Sequence, residues 1–347
     1  MLIQTIGRWQ RVYHLSLCGR FVDNGIQLNG LTRDSRSTEE KGGGITTTEG
    51  NIHDYLGIRW DFTIPREVFL SMEGCIKELL KKFQTTEGSK PTVTRTPANL
   101  DLFEIKASST LLNEDKRQSF YSAVMTLHYL AKRVRPEILV AVSYCATRGI
   151  APTENDMEKL QRILKYLQGT IDKKLVLCIG KAVTVTAYVD SSYGTYEDGK
   201  SVTGTVIFIG NAPVYFKSSK QKIVTRSSTE AELVGISDAL SQILWTREYV
   251  IMQGITIGPV TLYQDNMSTI FLANKGRTTS ERTRHIKIRY FFISHYIENN
   301  EIVTEHMPTS SMIADALTKP LHGTLFYTND KCIDRTLKWS EINLFIH

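Results

Sequence analysis

The sequence predicts an α/β fold, and three observations carry that prediction. Two runs alternate apolar and polar positions and are rich in β-branched residues, the pattern of half-buried strands: Val183-Thr184-Val185-Thr186-Ala187-Tyr188-Val189-Asp190 and Val260-Thr261-Leu262-Tyr263-Gln264-Asp265. Helical stretches over residues 228–250 and 267–274 alternate with them. Each strand run closes on an aspartate, and an acid at a strand end, facing the crevice beyond a sheet, is where α/β folds place their chemistry.

The elements follow in order along the chain. Residues 32–50 are polar and Gly-rich, with Gly42-Gly43-Gly44, and read as a flexible linker. Residues 55–62 are strand-like. In residues 72–83, Ile76, Leu79, Leu80 and Phe83 recur at helical spacing, and residues 87–97 form a loop. Residues 115–133 and 155–168 read as amphipathic helices, with Pro136 and Pro152 marking boundaries. Residues 169–180 lead into the first of the two strand runs. The helix at 228–250 opens on Ser227 and Glu230, which have capping-box spacing. A short strand over 303–306 precedes a helical stretch at 311–318. The last residues, 326–347, add Trp339 and Phe345 but no motif, and the chain has no internal repeat.

Four acids stand out among the 36 Asp and Glu residues. Asp190 and Asp265 end the strand runs, while Glu232 and Asp315 lie on helical stretches, so two strand acids and two helix acids can converge on one point. Each also has an ordinary reading. Glu232 stands three residues after Thr229 and has the spacing of a cap, although Ser227 and Glu230 serve that purpose. A strand-end Asp is often a turn residue, and Asp315 has the sequence context of a surface acid. Hard divalent cations take oxygen ligands, and Mg²⁺ in particular uses a few carboxylates together with substrate phosphate oxygens. The set therefore points to a divalent-metal nuclease.

Composition bounds the alternatives. The 347 residues, 41% hydrophobic, are enough for one or two cores. A formal charge of +6 and a pI near 8.9 suit phosphate binding weakly. Cys18, Cys75, Cys145, Cys178 and Cys332 are scattered without a Cys-X-X-Cys pair, which argues against zinc ligation or a disulfide framework. No apolar run reaches the ~18–20 residues of a membrane span, and residues 1–21 are too interrupted by polar groups for a secretory signal. The expected location is intracellular, cytoplasmic or nuclear.

Six ordered blocks carry a resemblance. They are Tyr188-Val189-Asp190-Ser191-Ser192-Tyr193-Gly194, Lys200-Ser201-Val202-Thr203-Gly204, Ser227-Ser228-Thr229-Glu230-Ala231-Glu232-Leu233, Tyr263-Gln264-Asp265-Asn266, Thr283-Arg284-His285-Ile286-Lys287-Ile288-Arg289-Tyr290 and Ala314-Asp315-Ala316-Leu317-Thr318-Lys319-Pro320. In order and spacing they resemble the ribonuclease H domain of copia-type retrotransposon Pol polyproteins. Upstream, His53-Asp54-Tyr55-Leu56-Gly57-Ile58, Thr96-Pro97, residues 121–136 and Arg162-Ile163-Leu164-Lys165-Tyr166-Leu167-Gln168-Gly169-Thr170 look like the thumb and connection part of the reverse transcriptase. The resemblance covers roughly residues 51–325.

It implies a ribonuclease H-like α/β domain, a mixed five-stranded sheet with flanking helices, preceded by a small α+β connection region. The implied organisation is an atypical segment and linker at 1–50, a thumb/connection remnant at 51–180, a ribonuclease H-like domain at 181–325 and a tail at 326–347. Asp190, Glu232, Asp265 and Asp315 fall on the family's metal-binding carboxylates. The implied activity is cleavage of the RNA strand of an RNA–DNA hybrid with two Mg²⁺ ions, Mn²⁺ substituting, because a cation pair can activate a water and stabilise the leaving oxygen. Retroviral-type integrases share this fold with an Asp, Asp, Glu order; here the order is Asp, Glu, Asp, Asp, which favours ribonuclease H.

Two departures temper the resemblance. Related ribonucleases H carry a loop His about ten residues before the last Asp. His306 is close to that place, yet aligning Met307-Pro308 puts His306 on the strand and Ser310 in the loop, so His306 stands as an auxiliary candidate beside a structural reading. A Tyr-X-Asp-Asp polymerase turn is absent. The chain is therefore expected not to polymerise DNA unaided and reads as a truncated remnant, with a reverse transcriptase as a partner in trans. Arg277, Arg282, Arg284, His285, Lys287 and Arg289 form a basic cluster that is either a solvated helix face or a phosphate contact along a hybrid. Asn266 either touches a 2′-hydroxyl or caps the following helix. The competing function is a catalytically silent nucleic-acid-binding relic.

Overall fold

A computed structural model describes residues 50–83, 94–178, 180, 182–275 and 287–334. The linker expected at 32–50, apart from Gly50, and most of the loop at 87–97 lie outside these residues. The first part of the described chain builds an antiparallel sheet in the order β1 (Ile52–Tyr55), β2 (Ile58–Asp61), β3 (Val68–Ser71) and β4 (Leu175–Leu177). The stretch expected as one strand over 55–62 is instead split by a hairpin turn. Leu56 and Gly57 both have positive φ, 55° and 76°, the conformation of a two-residue turn between antiparallel strands. Alternation of side chains alone does not reveal such a reversal.

Four helices pack beside this sheet: α1 (Glu73–Phe83), α2 (Glu114–Ala131), α3 (Leu139–Thr147) and α4 (Glu154–Gln168). Their starts have local causes. Asn113 accepts a hydrogen bond from the Lys116 amide at 2.9 Å, and Thr153 forms a reciprocal capping box with Asp156. The helix α3, apolar around most of its circumference, has no amphipathic period to read. It is buried because it lies between the two halves of the fold, where the Ser143 hydroxyl donates to the Ser218 carbonyl at 2.9 Å.

The second part is a five-stranded sheet of order β7-β6-β5-β8-β9, made of β5 (Val185–Ser192), β6 (Lys200–Ile209), β7 (Ala212–Val224), β8 (Val260–Gln264) and β9 (Ile302–His306). The first three strands form an antiparallel meander, and β8 and β9 then join β5 in parallel. The connection from the edge strand β7 to β8 is the long helix α5 (Ser228–Met252), and α6 (Met267–Lys275) and α7 (Lys287–Glu298) connect β8 to β9. This mixed sheet with flanking helices is the ribonuclease H-like arrangement that the resemblance implies.

The alternation of β5 supplies both faces of the sheet. Val185, Ala187 and Val189 join Leu233, Ile236 and Leu240 of α5 in one core. Tyr188 joins a second core with Val206, Phe208 and Phe216, the segment Met312 to Leu317, and the helices of the first part. That second core runs without interruption from one sheet to the other.

Two further elements complete the described fold. The segment carrying Asp315 is a 3₁₀ helix, Ile313–Leu317, and all five of its residues are buried. Residues on either side of position 326 form α8 (Gly323–Asp334), with Phe326 and Ile333 in the second core. A buried charge network ties this helix to the first part. The Arg135 guanidinium donates to Glu137 at 2.6 Å and to the Thr170 carbonyl at 2.8 Å. Lys173 lies 3.6 Å from Glu137 and pairs with Asp330 of α8.

Gly204 of β6 lets the 3₁₀ segment close on the sheet. A Cβ at Gly204 would lie 2.8 Å from the Ala314 carbonyl oxygen and 2.9 Å from the Leu317 Cβ. Gly204→Ala should therefore push away the segment that carries Asp315, at a stability cost of about 1–3 kcal/mol typical of overpacking. A melting curve unchanged from that of the native protein would show that the segment yields freely.

Candidate active site

The two parallel strands β5 and β8 stay paired only as far as Tyr188 and Tyr263. Beyond that pair they diverge, and Asp190 and Asp265 stand at the opening. Asp190 does not end its strand, as the sequence suggested. β5 continues to Ser192, and Asp190 pairs with Gly204, because β6 remains beside it after β8 has turned away.

Helix α5 brings the third acid. Gly235 lies against β5 so closely that a Cβ there would fall 2.4 Å from the Ser191 Oγ, and Glu232 sits one turn earlier on the same helix. Ser227 caps that helix by accepting from the Glu230 amide at 3.2 Å. The Glu230 carboxylate accepts from the Arg226 amide at 2.8 Å. Glu232 is thus free of capping. One carboxylate oxygen from each of Asp190, Glu232 and Asp265 lies within 4.8 Å of the others.

Asp315 borders this cluster without joining it. The Lys319 ammonium, four residues on, donates to Asp315 Oδ1 at 2.8 Å and lies 3.7 Å from Asp190 Oδ2. The Thr318 hydroxyl donates to the same Asp190 oxygen. Other side chains orient the remaining acids. Gln264, fully buried, donates from Nε2 to Glu232 Oε2 at 3.1 Å and accepts at Oε1 from the Asp265 amide at 2.8 Å. Thr309 donates to Asp265 Oδ2 at 2.9 Å. Gln221, also buried, donates to Thr203 Oγ1 and to the Ala231 carbonyl, both at 2.9 Å, and so ties the strands to the start of α5.

Sequence reasoning did not single out Gln264, Thr309, Thr318, Lys319, Gln221, Gly204 or Gly235. Gln264, Thr318, Lys319 and Gly204 lie within the quoted blocks. Their nearness in sequence to Asp265, Asp315 and Thr203, within one to four residues, is a signal of place but not of role.

Crowding the carboxylates has an electrostatic consequence. Burial, then repulsion from Asp190 and Asp265, holds the Glu232 carboxyl well above the ordinary range, against the Gln264 hydrogen bond. Burial and Asp190 push Asp315 up to about 7, with Lys319 opposing. Burial disfavours the Lys319 ammonium, but Asp190 and Asp315 more than compensate and raise it. The donor set, three hard oxygen ligands with their charges unsatisfied by one another, fits a divalent cation. Cation binding must drive off the protons that this crowding retains.

A pH dependence follows. In the metal-free protein, the folded state keeps a proton on Asp315 that the unfolded chain loses near pH 4. The stability this contributes is full below about pH 4 and is lost as pH rises to about 7. In EDTA, the melting temperature of the native protein relative to Asp315→Asn should therefore fall between pH 5 and 8. Divalent cation should stabilise the native protein more at pH 8 than at pH 6. Parallel pH profiles for the two proteins would contradict the assigned crowding.

The candidate nucleic-acid contacts are placed in part. Asn266 accepts from the Thr269 amide at 3.1 Å, so its side chain caps α6. Arg289 of α7 donates to Asp238 of α5 at 2.6 Å. Lys287 opens α7, while Arg282, Arg284 and His285 lie outside the described residues. His306 ends β9, exposed and in register with Gln264, and among the described residues its ring makes no hydrogen bond to the four acids. Among the described residues, no helix is long and apolar enough to cross a membrane.

Known proteins are similar to this chain in sequence. The chain is 32% identical over 278 residues to the "Retrovirus-related Pol polyprotein from transposon RE1" of Arabidopsis thaliana, covering 79% of this chain and 18% of that protein. Over that stretch the chain is related to retrovirus-related Pol polyproteins. It spans about a fifth of the length of such relatives; the polyprotein from transposon TNT 1-94 of Nicotiana tabacum is 28% identical, covering 73% of this chain and 19% of its own length. An uncharacterized mitochondrial protein of Arabidopsis thaliana is 31% identical over 198 residues, which is 57% of this chain and 79% of the relative. No family model matches the chain. Among solved structures, LC11-RNase H1 from compost aligns with a TM-score of 0.32 at 18% identity, covering 45% of this chain and 100% of that one. RNase H1 from the archaeon Halobacterium salinarum NRC-1 aligns with a TM-score of 0.28 at 19% identity, covering 39% and 93%.

Proposed function

We propose that the site cleaves the RNA strand of RNA–DNA hybrids in a reaction dependent on divalent cations, with Mg²⁺ in two positions and Mn²⁺ as a substitute. The observation that carries this reading is the convergence of Asp190, Glu232 and Asp265 within 4.8 Å. These three carboxylates would hold a cation, with Asp315 beside them at the edge shared with Asp190. When bound, such cations supply Lewis acidity to a phosphodiester and lower the pKa of the attacking water.

The chain's own groups prepare the site for that task. Gln264 fixes the Glu232 carboxylate, Thr309 fixes Asp265 and Thr318 fixes Asp190. Such orienting partners typically matter about 10–100-fold for metal affinity or activity. The opening between β5 and β8 admits the substrate at the carboxyl ends of parallel strands. An A-form-like hybrid is recognised through its backbone and 2′-hydroxyls, so cleavage without sequence preference is expected. The hybrid would come from a polymerase outside this sequence.

The test is purified protein on a hybrid labelled in its RNA strand, with Mg²⁺ or Mn²⁺ and with EDTA, and Asp190→Asn as control. Cleavage that needs the cation and the native Asp190 supports the reading. Equal signals from the two proteins would sink it. Hybrid binding by both without cleavage would favour a silent binding protein.

A further inference from the structure

We infer that the Lys319 ammonium is the resident cation of the Asp190–Asp315 edge, so that the free protein takes one divalent cation and a second position opens only when Lys319 leaves. This rests on the cation-dependent reading of the site.

Three observations on Lys319 carry it. First, the oxygens that approach one another within 4.8 Å come from three acids, not four. Asp315 is the one outside, and its Oδ1 is engaged by Lys319 at 2.8 Å. Second, the same ammonium lies 3.7 Å from Asp190 Oδ2, so it stands between the two carboxylates that would bracket a second cation. Third, the backbone aims it there. The Thr318 and Lys319 amides both donate to the Asp315 carbonyl, at 3.1 and 3.0 Å, which folds the chain back over Asp315. Pro320 follows, and a residue preceding proline is biased away from helix.

Charge completes the argument. A divalent ion between Asp190 and Asp315 would meet the ammonium at close range and be repelled. Lys319 cannot be replaced in situ by a partial shift, because Mg²⁺ demands oxygen ligands at about 2.0–2.1 Å in near-octahedral order. The lysine must withdraw. Its side chain is 37% exposed and its stem is flexible, so withdrawal requires no rearrangement of the sheet. Lys319 thereby sets the order of events: one cation is held first at Asp190, Glu232 and Asp265, and the edge toward Asp315 opens afterwards.

The experiment counts Mn²⁺ ions on the free protein by titration calorimetry, with electron paramagnetic resonance of unbound Mn²⁺ as a second count. The native protein, Lys319→Met, Lys319→Gln and Lys319→Arg are compared, each first shown to be folded by its melting curve in EDTA. One ion on the native protein and on Lys319→Arg, two on Lys319→Met and Lys319→Gln, and a return to one on adding Asp315→Asn is the expected result. Two ions on the native protein, or one on both neutral variants, would overturn the assignment of Lys319 while leaving the three-acid site intact. No ion on any of the four proteins would overturn both this assignment and the cation-dependent function beneath it.

Discussion

Asp190→Asn is expected to reduce hybrid cleavage by at least ~10²-fold while leaving the metal-free protein as stable as the native one or more so. The loss of activity follows from geometry. Asp190 contributes one of the three oxygens within 4.8 Å, and even a residue that only orients a ligand costs about 10–100-fold when removed. The stability follows from charge. The side chain is buried, and its carboxylate raises the pKa of both Glu232 and Asp315 by repulsion. Asparagine has the same shape, keeps an oxygen for the Thr318 hydroxyl, and removes the repulsion. Cleavage kinetics and melting in EDTA separate the two effects. A variant that is inactive because it melts far below the native protein would show that Asp190 serves the fold rather than the chemistry.

Arg135→Met is expected to be the most damaging single change to stability, by about 3–5 kcal/mol, the range seen when one partner of a buried ion pair is removed. The Arg135 and Glu137 side chains are 0% and 1% exposed. Glu137 is held below the ordinary carboxylate range because the opposing charges of Arg135 and Lys173 outweigh its burial. Without Arg135 the carboxylate keeps Lys173 at 3.6 Å and the Tyr166 hydroxyl at 3.4 Å, which leaves its charge only partly compensated. The Thr170 carbonyl and hydroxyl lose their guanidinium partner as well. The double variant Arg135→Met/Glu137→Leu should recover much of the loss, since an apolar pair of similar size is often no less stable than a buried ion pair. Chemical denaturation of the single and double variants measures this, and a double variant as unstable as the single one would place the cost in packing instead of charge.

Asp190 meets Thr318, 128 residues on, and Arg135 reaches Thr170, 35 residues on, besides its near neighbour Glu137; such distance separates what was legible from what was not. The strand runs ending near Asp190 and Asp265 were legible because a half-buried strand writes its two faces into alternate residues. Helix α5 was legible from Ser227 and Glu230, a local capping signal. The hairpin at Leu56 and Gly57 was hidden, because alternation continues through a two-residue turn. The helix α3 was hidden too, being apolar on nearly every side. The close seat of Ile313–Leu317 on Gly204 was hidden as well, being a contact across more than a hundred residues.

The sequence by itself determined which carboxylates are present, their order, and the strands and helices that carry them. Local periodicity and capping chemistry act over a few residues and leave their mark there. Only the tertiary structure decided that three of the four acids share one cluster, that Asp315 is turned to Lys319, and that Gln264 and Thr318 orient the acids. The Thr318 to Asp190 hydrogen bond joins residues 128 apart. Such contacts are selected by the packing of sheet, helix and 3₁₀ segment against one another, so no local pattern records them.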